Sequence, residues 1–202
     1  MSATHLPSPT VYLPPLADSL PSGRLHPVAA DALRMAAGVV LVGVLAQVSI
    51  PLPGTPVPLT GQTPGVLLCG MLLGSRRGLL SLATYLALGA AGVPLFAGAG
   101  AGIASLVGPT AGYLWAFAPA AWLVGRLAER GWDRRAGASA MAMGLGSLLI
   151  LLVGSLWLSV FTGGWVNGLQ KGLMPFLPIE TLKIALLFGL LPAIRRRLPT
   201  GR

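Results

Sequence analysis

Three long runs without any charged residue dominate this chain and limit what it can fold into. Residues 35–75, 78–125 and 136–170 contain no Asp, Glu, Lys or Arg. Soluble domains carry about 25% charged residues, whereas only 9% of this chain is charged and 54% is hydrophobic. Because a membrane-spanning helix needs about 20 apolar residues, each of the first two runs can hold two spans and the third can hold one span plus a loop.

A shorter apolar segment close to the C-terminus supplies a sixth span. We therefore predict an all-α integral membrane protein with six transmembrane helices, forming one domain over residues 31–198. Residues 1–30, which are rich in Pro, are predicted to be a disordered cytoplasmic tail. The helices are predicted at about 31–50, 62–74, 78–89, 112–127, 138–161 and 179–194.

The basic residues indicate the orientation of these spans. The net charge of +9 could suggest a nucleic-acid partner, but the 12 Arg lie at the ends of apolar runs, without interleaved aromatic residues. We therefore predict contact with membrane lipid and none with nucleic acid. If the N-terminus is cytoplasmic, six spans place all 12 Arg on the cytoplasmic side and leave Lys171 outside, as the positive-inside rule requires. Both termini are then predicted to be cytoplasmic, with the protein in the plasma (inner) membrane.

Two irregular segments fall on the outer side in this topology. Residues 50–63 contain four Pro and two Gly, which forbid a regular helix. Irregular backbone at a membrane edge is tolerated only when it packs on protein or lines a cavity, so this segment is predicted to be a lid, with a plain connecting loop as the alternative. Residues 89–113 are rich in Gly, which lets backbone approach a ligand closely. Together the two segments predict a pocket that opens outward.

Glu180 and Lys183 are the only charged side chains inside the apolar segments. On a helix, residues three apart share a face. A charge in a membrane segment costs about 2.5–3.5 kcal/mol on insertion scales, so the pair predicts a binding site, and the alternative is a structural ion pair. The candidate polar ligand contacts are Lys183, Glu180, Gln62, Thr60, Tyr85 and Asn167.

Other classes of function fit the sequence less well. The two histidines, His5 and His26, precede the predicted spans, and only one carboxylate lies within them. The chain therefore offers no Ser–His pair, acid dyad or metal set of the kind that hydrolases use, so we predict neither an enzyme nor a metal site. Cys69 is interpreted as a buried small side chain. A proton-coupled carrier usually has several intramembrane acids and remains the weaker alternative to a subunit that captures a small molecule.

The first predicted helix carries a row of small residues, Ala32, Ala36 and Val40, at a spacing of four. Such rows allow another helix to approach closely in a membrane. The row predicts docking on a partner subunit, and packing within the protein's own bundle is the alternative.

Several of these segments together resemble the BioY family. These are the biotin-specific substrate-binding subunits (S components) of energy-coupling factor (ECF) transporters. The resemblance covers about residues 32–198. It rests on the following residues, in order along the chain: 51–63, Gly74, Tyr85, 89–96 ending at Phe96, 108–113, and the pair Glu180 and Lys183.

The resemblance implies the S-component fold, an outward pocket capped by the loop after the first helix, and high-affinity biotin binding, with Phe96 among the contacts. It also implies a transmembrane coupling subunit of the EcfT or BioN type and ATPase subunits of the BioM type. Ala32 and Ala36 match the family's surface for the coupling subunit. No Walker motif and no cofactor site occur here, and the family usually has Asp at the place of Glu180. An S component for another vitamin is the alternative.

Overall fold

The structure is a computed structural model and describes residues 14–19 and 26–187. It confirms the predicted helical membrane fold and adds a two-stranded hairpin. Strand β1 (Ser49–Ile50) pairs antiparallel with β2 (Leu59–Thr60), with Ser49 opposite Thr60. The α-helices are α1 (Pro27–Ala46), α2 (Gln62–Ala90), α3 (Ala111–Ala128), α4 (Ala136–Thr162), α5 (Trp165–Gly172) and α6 (Leu177–Leu187).

Helix α2 folds back on itself at Gly74. Gly74 has φ +82° and ψ 178°, a conformation that only Gly adopts readily. The amide nitrogen Nε2 of Gln62 lies 2.7 Å from the hydroxyl of Tyr85, whereas 23 residues of straight helix would separate them by about 35 Å. The two arms, residues 62–73 and 75–90, are therefore antiparallel and correspond to the second and third predicted helices.

The described helices differ in how they could cross a bilayer. Helices α1, α2 and α4 are long and apolar enough to do so. Because α2 is folded, its arms reach only about 18 and 24 Å, less than the roughly 30 Å of a hydrocarbon core. The α2 span is also the most enclosed of the three, with 67% of an apolar 18-residue stretch of it buried. Packed between the other helices, its short arms can end inside the bundle.

One end of the bundle is rich in arginine and is called here the arginine end. Asp18 lies 2.6 Å from Arg77, and Asp31 lies 3.1 Å from Arg34 and 2.9 Å from Arg77. The start of α1, the fold in α2 and the turn at residues 16–19 are thereby joined.

Glu129, immediately after α3, belongs to the same end. Its Oε1 accepts hydrogen bonds from the backbone N–H and the hydroxyl of Ser75, both at 2.7 Å. The fold at Gly74 leaves the Ser75 N–H without a partner inside the helix, and Glu129 supplies the acceptor instead.

Some element boundaries differ from the predicted ones. Helix α1 begins at Pro27, because Pro suits the first helical turn and the His26 ring accepts a hydrogen bond from the Val28 N–H. Helix α5 lies where a loop was predicted. Within the predicted tail, Leu16–Ser19 forms a 3-10 turn and Leu16 is buried. Residues 1–13 and 20–25 of the tail, and residues 188–202 with the end of the last predicted helix, lie outside the described residues.

Candidate ligand-binding site

A cavity of about 310 Å³ lies between the hairpin segment, the Gly-rich loop, α3, α4 and α6. It sits at the end of α2 and α3 opposite the arginine end, and residues between β1 and β2 line part of it. The irregular segments 50–63 and 89–113 both contribute to its wall. The lining residues are Pro56, Val57, Pro58, Thr60, Gln62, Thr63, Phe96, Ala97, Gly100, Ser105, Thr110, Tyr113, Leu114, Phe117, Ile150, Leu151, Phe176, Glu180 and Lys183.

Aromatic and aliphatic side chains form most of this wall. Phe96 is buried and packs edge-on against Tyr85, with ring centroids 5.5 Å apart. Its ring lies directly over Gly89, where any Cβ atom would overlap the ring. The absence of a side chain at Gly89 thus allows the Gly-rich loop to bring Phe96 into the cavity. Apolar walls with few polar groups are typical of small-molecule sites.

One edge of the cavity is polar and spans three elements. The ammonium group of Lys183 donates to Oε1 of Glu180 and, at 2.8 Å, to the carbonyl oxygen of Thr60 in β2. The other carboxylate oxygen of Glu180 accepts a hydrogen bond from the Ser147 hydroxyl of α4 at 3.1 Å. Glu180 is only 4% exposed. The charge is thus compensated by a cation and a hydroxyl, as buried charges require.

The polar edge continues into α2. The hydroxyl of Thr60 donates to Oε1 of Gln62 at 3.1 Å. Nε2 of Gln62 donates to the Tyr85 hydroxyl, which in turn donates to the carbonyl oxygen of Leu95 at 2.9 Å. These hydrogen bonds link α4, α6, the hairpin, α2 and the Gly-rich loop, and Thr60 joins the two sets through its carbonyl oxygen and its hydroxyl. They hold the polar groups in fixed positions.

The structure brings most of the sequence-predicted ligand contacts together. Thr60, Gln62, Phe96, Glu180 and Lys183 all line the cavity. Tyr85 is fully buried behind the wall, and its hydroxyl accepts a hydrogen bond from Gln62.

Asn167 is placed elsewhere. It is exposed on α5, and its side-chain nitrogen donates to the carbonyl oxygen of Thr162 at 2.9 Å. It does not line the cavity, because its segment forms a helix rather than a loop that reaches inward.

The sequence did not point to several residues of the site. Tyr113, Phe117 and Phe176 line the cavity, but each is one apolar residue among many in an apolar segment. Ser147 had a weak signal, since Ser139, Ser147 and Ser155 recur every eight residues along α4 and all are buried. Each step of eight residues turns the side chain by about 80° around the helix, so the three serines do not share one face and the signal was weak.

The small-residue row of α1 lies away from this cavity. Ala32, Ala36 and Val40 are exposed, and Val40 is 61% accessible. Together with the second arm of α2 they line a shallow apolar groove of about 330 Å³. The residues of this groove are Ala32, Met35, Ala36, Val39, Val40, Thr84 and Leu88.

Within residues 14–19 and 26–187, no group of three or more His, Cys, Asp or Glu side chains could hold a metal ion. The groups that converge on the cavity are instead one cation, one carboxylate, one amide and several hydroxyls. Such a set can bind an organic molecule that has an anionic or carbonyl oxygen and N–H donors.

The sequence model of the BioY family matches residues 18–200, nearly the whole length of the chain. The chain belongs to the BioY family. The family resemblance inferred from the motifs is thereby confirmed, and with it the prediction of a multi-pass protein of the plasma membrane.

Individual relatives agree with this assignment. The chain is 40% identical over 147 residues to a probable biotin transporter BioY from Pyrococcus horikoshii, covering 73% of this chain and 85% of the relative. It is 37% identical over 145 residues to a biotin transporter BioY from Thermotoga maritima, covering 71% and 83%. A crystal structure of the S component for biotin from an ECF-type ABC transporter matches with a TM-score of 0.75 and 25% identity, covering 84% of this chain and 93% of the solved one.

Proposed function

We propose that this BioY protein captures biotin in the cavity and mediates its uptake across the membrane as the S component of an ECF transporter. It is a transport protein and not an enzyme. The observation that carries the proposal is the position of Lys183 and Glu180, which share one wall of an otherwise largely apolar cavity beneath the hairpin segment.

The chemistry of biotin matches this wall. Its fused rings present two N–H donors and one carbonyl acceptor, and its tail ends in a carboxylate. Lys183 has three N–H donors, of which Glu180 and Thr60 accept two, so that one is left for a ligand oxygen. Glu180 and Gln62 keep unused lone pairs that can accept from N–H groups. The aromatic and aliphatic residues opposite can cover the rings and the alkyl chain.

The proposed orientation places the cavity outside and the arginine end in the cytoplasm. The described arginines support it, since Arg34, Arg77 and Arg126 lie with the charged groups at one end of the bundle. The cavity and Lys183 lie toward the other end. Cytoplasmic termini follow from this orientation by the positive-inside rule.

The proposed partners are a transmembrane coupling subunit of the EcfT or BioN type and ATPases of the BioM type. The groove along Ala32, Ala36 and Val40 is the proposed docking surface for the coupling subunit, because it is exposed, apolar and lined by small residues.

Binding of labelled biotin to the purified protein in detergent tests the proposal, with riboflavin and thiamine as competitors. We expect saturable binding that excess unlabelled biotin removes and the two other vitamins do not. Binding of riboflavin or thiamine without biotin would overturn the assignment of the ligand. Uptake of biotin is also measured in cells that express the chain with and without the coupling subunit and ATPases. This comparison tests whether uptake depends on those subunits.

A further inference from the structure

A buried hydroxyl lies behind the polar edge of the cavity and is not part of the cavity wall. Ser147 is 2% exposed near the middle of α4, and its hydroxyl donates to Oε2 of Glu180. We propose that Ser147 is a positioning residue that holds Glu180, and through it Lys183, in the orientation that meets the ligand. This inference rests on the proposed function.

The first argument concerns the carboxylate plane of Glu180. The last torsion angle of a Glu side chain is broad and roughly two-fold, so one contact with Lys183 does not fix it. Oε1 faces Lys183 and Oε2 faces Ser147, which belongs to a different helix. Two donors on opposite oxygens fix the rotation of the group. Removing the hydroxyl therefore frees the carboxylate to turn and leaves one of its oxygens buried without this donor.

The second argument concerns Lys183. Its ammonium group is shared between Glu180 and the carbonyl oxygen of Thr60. A carboxylate that turns away changes the direction of the remaining N–H donor, which is the one available to a ligand. The effect of Ser147 on binding is therefore transmitted by contacts between side chains and needs no contact with the ligand itself.

The third argument concerns side-chain length. The side chain of Glu180 is long enough to bring its carboxylate to α4 as well as to Lys183. The carboxylate meets Lys183 on its own helix and Ser147 on the other at the same time. An Asp at this position is one methylene shorter and has to favour one of the two partners. Ser147 and Glu180 therefore form a matched pair in this chain.

The test measures the dissociation constant for biotin in single and double variants. We expect Ser147→Ala to weaken binding about tenfold, as expected for loss of a hydrogen bond to a charged group. Thr keeps the hydroxyl and Val has the same shape without it, so Ser147→Thr is expected to bind more tightly than Ser147→Val. In a Glu180→Asp background, Ser147→Ala is expected to have little further effect, because the contact is already lost.

Ser139→Ala is the matched control. Ser139 is fully buried on the same helix, but its hydroxyl donates to the carbonyl oxygen of Trp132 at 3.3 Å near the arginine end. We expect it to bind biotin like the parent protein. If the parent protein fails to bind biotin, the proposed function fails. If the parent binds, any of three results overturns the inference. One is that Ser147→Ala binds as tightly as the parent, and another is that Ser147→Thr and Ser147→Val have equal dissociation constants. The third result is that the effects of Ser147→Ala and Glu180→Asp on the dissociation constant multiply independently.

Discussion

The ammonium group of Lys183 lies 2.8 Å from the carbonyl oxygen of Thr60, so that α6 is joined to the hairpin that lines the cavity. The two residues are 123 positions apart in the chain. The same ammonium group contacts Glu180 on its own helix. A ligand oxygen that binds Lys183 therefore contacts the same ammonium group that holds the hairpin. Ligand binding and the position of the hairpin are thus coupled through Lys183.

Replacement of Lys183 by Ala is expected to weaken biotin binding more than tenfold. The change removes a charge-assisted contact to the ligand, and hydrogen bonds of charged groups contribute about 1.5–3 kcal/mol. It also leaves Glu180 buried without its cation. Equilibrium binding of labelled biotin to the purified variant measures the effect.

Lys171→Ala is the matched control for this prediction. Lys171 is the only other lysine, and it is exposed on α5. We expect its removal to leave the dissociation constant unchanged. Equal affinities for Lys183→Ala and the parent protein would assign the Glu180–Lys183 pair a structural role alone.

Replacement of Tyr85 by Phe is expected to weaken binding about fivefold to tenfold, although Tyr85 does not line the cavity. The change leaves Nε2 of Gln62 and the carbonyl oxygen of Leu95 without their hydroxyl partner, and an unsatisfied buried polar group costs about 1–3 kcal/mol. Gln62 then loses its fixed orientation at the wall.

A double-mutant cycle with Gln62→Ala identifies the route of this effect. If Tyr85 acts through Gln62, Tyr85→Phe adds little once the Gln62 side chain is gone. Full additivity of the two changes would contradict the proposed route.

The sequence predicted the membrane class, the helical segments and the polar edge because each has a local signal. Uncharged runs, clusters of Pro and Gly, and a charged pair at helical spacing are all visible in one dimension. The hydrogen-bond partners of that pair are not visible in this way, since Ser147 and Thr60 approach Glu180 and Lys183 only after three separate elements, α4, β2 and α6, have packed.

At Asn167 a local sequence signal was misleading. A polar residue in an outer segment suggested a ligand contact, but residues 165–172 form helix α5 with Asn167 exposed. The polarity of a residue in the sequence does not indicate the direction in which its side chain points.

Replacement of Gly74 by Ala is expected to destabilise the fold by about 1–3 kcal/mol, because its backbone conformation is strained for any residue with a Cβ atom. An added Cβ would also lie 2.6 Å from Cγ of Pro15 and 2.9 Å from Oε1 of Glu129. Thermal unfolding in detergent measures the change.

Gly144→Ala is the control, because Gly144 lies within α4 with no atom within 4 Å of an added Cβ and Ala favours helix. A Gly74→Ala variant as stable as Gly144→Ala would contradict the strained turn.

Replacement of Ala36 by Leu is expected to spare biotin binding and block assembly with the coupling subunit. Ala36 is exposed in the groove between α1 and α2 and does not line the ligand cavity. A Leu side chain fills the groove, so a partner helix can no longer approach closely.

Ala37→Leu is the matched control, because Ala37 is also exposed but points about 100° away around the helix. Co-purification with the coupling subunit and binding of labelled biotin are measured for both variants. Retained assembly in Ala36→Leu would show that the coupling subunit docks elsewhere, and lost biotin binding would show that the groove and the cavity are not separate surfaces.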